Sequence, residues 1–263
     1  MSGEDAEILI HHEPPLGWIT INRPAARNAL TAMMWERLAS LVTEFGADES
    51  IRVIILRGAG QQSFISGVDI AELQQLLQEP DRQEENYRFT LRLLEAIASA
   101  PKPVLAMING HCLGGGMLIA LTCDLRLSSE RAQFAIPAVK LGVAYPPDYG
   151  VARLVWTVGA GKATELLLTG NTVDAAEARR IGLVQRVVAA EQLEEATRQY
   201  ALSLSRGAPL TLAAHKLALQ QVWQTNSLAD EVLAAIQRCY RSTDCQEGLT
   251  AFLEKRPPVF IGE

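Results

Sequence analysis

The chain has 263 residues, of which 48% are hydrophobic and 21% charged, with a net charge of −6. That balance is ordinary for a globular enzyme with a large core, and it argues against a nucleic-acid partner, which would call for a basic face. No apolar run reaches the ~18 residues of a membrane span, and the polar start Met1–Glu7 lacks a secretion-type apolar segment, so a cytoplasmic protein with no membrane partner is expected.

Ile8–Ile10 and Trp18–Ile21 read as strands around the turn Glu13-Pro14-Pro15-Leu16-Gly17. A loop over Asn22–Asn28 follows. Met34, Leu38, Leu41, Val42 and Phe45 recur with helical spacing. Val53–Leu56 reads as a buried strand, and Asp69–Leu77 as a helix opened by the glycine turn Ser66-Gly67. Tyr87, Leu91, Leu94 and Ala98 mark a second helix, closed by Pro101 and Pro103. Val104–Ile108 is another buried strand. It runs into Asn109-Gly110-His111-Cys112-Leu113-Gly114-Gly115-Gly116 and then into an apolar helix from Met117 to Thr122. Leu125–Leu127 is a further strand.

This alternation implies parallel strands with helical crossovers. From about Tyr149 helices dominate: Gly150–Val158, Lys162–Thr169, Asp174–Arg180, Glu191–Ser205, Leu210–Gln224, Ser227–Cys239 and Asp244–Lys255, with Val184–Val188 as a last strand. An α/β core over 1–200 and a helical region over 201–263 are expected. Cys112, Cys123, Cys239 and Cys245 show no metal-type spacing and read as reduced thiols, so no metal site is expected.

The two glycine turns are the chemistry-bearing features. Each follows a strand and opens a helix, so each offers free main-chain N–H groups at the positive end of a helix dipole. Such groups serve a phosphate or an oxygen that gains negative charge during reaction. Neither turn has the lysine or the spacing of a phosphate loop. Two converging donors suit an acyl oxygen better.

The stretches Asn22-Arg23-Pro24…Asn28-Ala29-Leu30, Phe64-x-Ser66-Gly67-Val68-Asp69-Ile70 and Pro103-Val104…Asn109-Gly110…Gly114-Gly115-Gly116 resemble the signatures of the crotonase superfamily, the enoyl-CoA hydratase/isomerase family. Thr169-Gly170…Asp174-Ala175…Gly182-Leu183-Val184 and Ala251-Phe252-Leu253-Glu254-Lys255-Arg256 resemble it as well. The resemblance implies a crotonase-like spiral of ββα repeats and a helical C-terminal region forming a homotrimer or a dimer of trimers. It implies an acyl-CoA thioester as substrate, with no separate cofactor because coenzyme A is part of that substrate.

By the same resemblance, Val68 N–H and Gly115 N–H form the oxyanion hole. Ala26, Asn28, Leu30, Ser66, Asp69, Ile70, His111, Gly114, Leu118, Ala138 and Phe252 line the substrate, and Lys255 and Arg27 are candidates for the CoA phosphates. Hydratases of the family carry two glutamates that handle water. Here those positions are Leu118 and Ala138, which cannot exchange a proton. Asp148 resembles the aspartate of double-bond isomerases, expected in an apolar pocket that raises its pKa. Tyr145 resembles the tyrosine in Gly-Val-x-Tyr of acyl-CoA decarboxylases. Enoyl-CoA isomerisation through Asp148 is the leading expectation. Decarboxylation of a malonyl-type CoA with Tyr145 orienting the carboxylate, hydration by another route, and CoA-thioester binding without turnover are the alternatives.

Overall fold

The computed structural model describes residues 6–69, 71–72, 80–141, 143–225, 238 and 241–263. The hairpin of β1 (Ile8–Glu13) and β2 (Leu16–Ile21) opens a six-stranded sheet. It continues in parallel through β3 (Val53–Gly58), β5 (Val104–Ile108), β7 (Leu125–Ser129) and β10 (Arg186–Val188). A second sheet joins β4 (Ser63–Ile65), β6 (His111–Leu113), β8 (Gln133–Ala135) and β9 (Val173–Asp174), with only the last pair antiparallel.

The order of these strands is a repeat. β3 feeds the large sheet and β4 the small one. β5 and β6 do the same and lead into helix α3 (Gly115–Thr122). β7 and β8 do it again and lead into α4 (Ala138–Leu141). Each ββα turn therefore adds one strand to each sheet, so equivalent turns of the chain stack side by side.

Helix α1 (Ala32–Ala47) is capped by Thr31, whose Oγ1 accepts from Met34 N–H. It buries the expected stripe Met34, Leu38, Leu41, Val42 and Phe45, and Trp35 besides. Helix α2 (Pro80–Ser99) packs on it. The large sheet is buried on both faces. Ile19, Ile21, Ile54, Leu56, Val104 and Ala106 meet the main core, while Leu16, Trp18, Val53, Ile55, Leu105 and Met107 meet helix α8 (Leu193–Ser205). This is why its strands read as unbroken apolar runs.

The C-terminal half has a π-helical segment (Pro147–Ala152), then α5 (Arg153–Val158), α6 (Ala160–Thr169), α7 (Ala175–Arg180), α9 (Pro209–Thr225) and α10 (Thr243–Glu254). The expected helices at 69–77 and 227–239 lie largely outside the described residues.

Among the described residues, three helices end on buried or half-buried cations. Lys102 Nζ donates to Phe45 O (2.9 Å) and Asp48 O beyond α1. Lys216 Nζ donates to Ile97 O of α2 (3.4 Å) and to Lys102 O (2.8 Å), and pairs with Asp124 (2.6 Å). At the end of α3, Arg126 takes Ala120 O and Cys123 O, and Arg153 takes Thr122 O and Leu121 O. The last carbonyls of a helix have no internal partner and carry its negative end, so cations there satisfy both needs. Burial lowers both guanidinium pKa values, that of Arg153 to about 10. Among the described residues, no helix is long and apolar enough to cross a membrane.

Candidate active site

Strands β4 and β6 pair in parallel, with Ser63 opposite His111 and Ile65 opposite Cys112. The chain leaves each strand through glycines, and the pairing brings those exits together. Gly67 (φ +118°) and Gly114 (φ +51°) adopt left-handed conformations that other residues reach only with strain. A Cβ on Gly67 would lie 3.4 Å from Gly115 N, and one on Gly115 would lie 3.4 Å from Gly67 Cα and 3.0 Å from Trp35 Cζ2. A Cβ on Gly116 would stand 2.1 Å from Ile65 O. The glycines are what let the two backbones touch.

Leu30 brackets the first turn. Its N–H donates to Gly67 O (2.9 Å), and its carbonyl accepts from Asp69 N–H (2.9 Å). In a parallel bridge of this kind the intervening residue, Val68, turns its own N–H to the other side. Gly115 is the first residue of α3, so its N–H has no partner within the helix. The peptide that carries this N–H has Gly114 O at its other end. That oxygen accepts from Leu118 N–H (3.1 Å) and from the hydroxyl of Tyr145.

Around the glycines the walls are apolar. Leu118 is buried and Ala138 half-buried. Tyr145 packs beside Gly150, where a Cβ would lie 2.7 Å from its ring and 3.3 Å from Leu118 Cδ1. Its hydroxyl, surrounded by protein, has its pKa raised well above the usual phenol value by burial. Its proton is given to Gly114 O and so is not available to orient a substrate carboxylate, the role the sequence suggests for Tyr145. Asp148 lies in the first turn of the π-helical segment and is exposed, so the described residues do not enclose it in the apolar pocket expected from sequence.

Asn28, expected beside substrate, is fully buried and serves its own loop. Its amide donates to Ser63 O (2.7 Å) and Ala59 O (3.0 Å), and its oxygen accepts from Arg23 N–H (3.0 Å). Asp69 pairs with Arg23 (3.1 Å) and accepts from Ala71 N–H. Burial would raise its pKa, but these bonds outweigh that and lower it. His111 is exposed, with Nδ1 2.9 Å from Gln62 O. Ala26 and Ser66 are half-buried, and Leu30 is in the core. Lys255 is exposed just after α10. Ile70 and the side chain of Phe252 lie outside the described residues. Arg27 and Asn28 border a cleft of about 550 Å³ with Pro24, Gly60 and Gln62.

The thiols of Cys112 and Cys123 are buried and pushed up by that burial, Cys123 to about 12, so both are inert. Cys239 lies outside the described residues. Among the described residues no group of three acidic, His or Cys side chains is placed to hold a metal.

Sequence reasoning missed Trp35, which shares the buried face of α1 with Leu38 and Val42, and the bond from Tyr145 to Gly114, which spans 31 residues. Trp35 is buried and its indole N–H has no partner among the described residues.

Comparison with known proteins agrees with this geometry. Residues 13–263 match the enoyl-CoA hydratase/isomerase family. A crotonyl-CoA hydratase of Syntrophomonas wolfei is 36% identical over 261 residues, covering 97% of this chain and 98% of the relative. A short-chain-enoyl-CoA hydratase of Clostridium acetobutylicum is 34% identical, covering 95% of each. The crystal structure of an enoyl-CoA hydratase/carnithine racemase from Magnetospirillum magneticum superposes with a TM-score of 0.91 at 34% identity, covering 98% of this chain and 96% of that one. The chain therefore belongs to the enoyl-CoA hydratase/isomerase family and is an enzyme of the crotonase type.

Proposed function

We propose that the protein binds an acyl-CoA thioester with its carbonyl oxygen between Val68 N–H and Gly115 N–H, and moves the double bond of an enoyl-CoA. The observation that carries this reading is the close approach of the two glycine turns, where a Cβ on Gly67 would lie 3.4 Å from Gly115 N. A donor already aimed at the developing charge is worth about 10²–10³ in rate when measured by its removal. In the proposed reaction a base removes a proton from C2 of a 3-enoyl-CoA. The electrons move onto the thioester oxygen, and the proton returns at C4 to leave the 2-enoyl product. Asp148 is the proposed base, and being exposed it would act from a solvated position rather than in a dry pocket. Arg27 and Lys255 are proposed for the phosphates of coenzyme A, which enters as part of the substrate. Residues 201–263 are proposed as the oligomerisation region.

A second reading follows from Leu118 and Ala138. With no carboxylate at those two positions, loss of CO₂ from a malonyl-type CoA is the family reaction that needs no base, since the broken C–C bond itself delivers the electrons. The test is to supply 3-enoyl-CoA, methylmalonyl-CoA and crotonyl-CoA separately. Isomerisation lost in Asp148→Ala supports the first reading. CO₂ release supports the second. Hydration at an ordinary rate, or tight binding without turnover of any of the three, refutes both.

A further inference from the structure

The amide that would meet the substrate through Gly115 N–H belongs to the peptide bond between Gly114 and Gly115. Its oxygen, Gly114 O, receives two hydrogen bonds, from Leu118 N–H along the helix and from Tyr145 O–H across it. A peptide group is a conjugated unit: a donor at its oxygen draws electron density from its nitrogen and makes the N–H a stronger donor. The same bond fixes the plane of the peptide, and with it the direction in which the N–H points.

Tyr145 is itself held firmly. Its ring lies against Gly150, which has no Cβ to displace it, and Pro146 O accepts from both Gly150 N–H and Val151 N–H (3.0 Å each) as the π-helical segment begins. Irregular helical turns of this kind occur often at functional sites. Trp35 leaves room for no side chain at the next residue, since a Cβ on Gly115 would lie 3.0 Å from Trp35 Cζ2.

We infer that Tyr145 is a positioning residue that orients and polarises the Gly114–Gly115 peptide, acting on the reaction through Gly115 N–H rather than on the substrate directly. This rests on the proposed oxyanion role of that amide. Cooperative strengthening of about 10–30% per bond, applied to a donor worth about 10²–10³ in rate, predicts a fall of about 2- to 8-fold in kcat when the hydroxyl is removed.

The test compares the wild-type protein with Tyr145→Phe, using crotonyl-CoA as the bound probe and 3-enoyl-CoA for turnover. The readout is the carbonyl stretch of the bound thioester, measured by isotope-edited vibrational difference spectroscopy, beside the Kd for free CoA. The expected result is a smaller downward shift of the stretch in Tyr145→Phe, with CoA affinity within twofold and the shape of the pH–rate profile unchanged. An unchanged shift overturns the inference, as does loss of a limb of the pH profile, which would make the hydroxyl a proton donor to substrate. A variant that no longer unfolds cooperatively also counts against it, because the hydroxyl would then hold the fold rather than the peptide. No shift in the wild-type protein would instead remove the oxyanion reading beneath it.

Discussion

Replacing Lys216 by Met tests how the helical region is joined to the core. The methionine keeps most of the apolar stem but removes the charge and three hydrogen bonds: to Asp124 (2.6 Å), Lys102 O (2.8 Å) and Ile97 O (3.4 Å). Lys216 is 8% exposed and the Asp124 side chain 23%. Removing one partner of a fully buried pair costs about 3–5 kcal/mol, because the other charge is left uncompensated. Asp124 keeps some water and the Val104 N–H (2.7 Å), which reduces the penalty. The expected loss is about 2–4 kcal/mol. For a chain of this length that is a fall in Tm of about 4–16 °C. Thermal and urea unfolding followed by circular dichroism would measure it. Adding Asp124→Asn should return part of the loss, since the stranded carboxylate is gone, giving a coupling of at least about 1 kcal/mol in the double-mutant cycle. A single-variant loss under about 1 kcal/mol, or strictly additive effects, would refute the reasoning.

Gly116→Ala places a Cβ 2.1 Å from Ile65 O, backbone against backbone, so β4 and α3 must separate. A destabilisation of about 3 kcal/mol or more, with loss of turnover, is expected in unfolding and activity assays. Gly161→Ala, inside α6 with nothing within 4 Å of the new Cβ, should instead stabilise by about 0.5–1 kcal/mol. The carboxylate of Glu247 is held at about 2 by Arg256 and by Val259 N–H. A depressed folded pKa means that its contribution is complete above the ordinary glutamate value of 4.5 and is lost as pH falls toward 2. Amide exchange in the 256–263 segment should therefore lose protection between about pH 4.5 and pH 2, and protection that persists below pH 2 would contradict this. Asn28→Ala removes three bonds from a buried left-handed residue and should weaken acyl-CoA affinity in a calorimetric titration while costing about 3 kcal/mol of stability.

The large sheet and helix α1 were legible in the sequence because their signals are long. Val53–Leu56 and Val104–Ile108 are unbroken apolar runs, and Met34 to Phe45 repeats with helical period. The small sheet was not. Ser63–Ile65, His111–Leu113 and Gln133–Ala135 are three residues each, too short to show any period, so the glycine turns read as direct strand-to-helix links. The helix before Thr122 accordingly begins at Gly115, not at Met117. The glycine turns themselves were readable, because positive φ and close backbone approach leave a composition that few other demands produce. What surrounds them was not, since the setting of Trp35, Tyr145 and Asp148 depends on contacts between distant segments. Asp148 shows the difference most clearly: its resemblance to an isomerase aspartate suggested an apolar pocket, and the fold leaves it exposed.

The repeat that lays β4 beside β6 has an evolutionary consequence. The groups that would share the growing charge are main-chain N–H groups, so no exchange of one amino acid for another, save for proline, deletes them outright. On the proposed reading, replacements at Leu118, Ala138 or Asp148 would change which bond breaks without changing where the electrons come to rest.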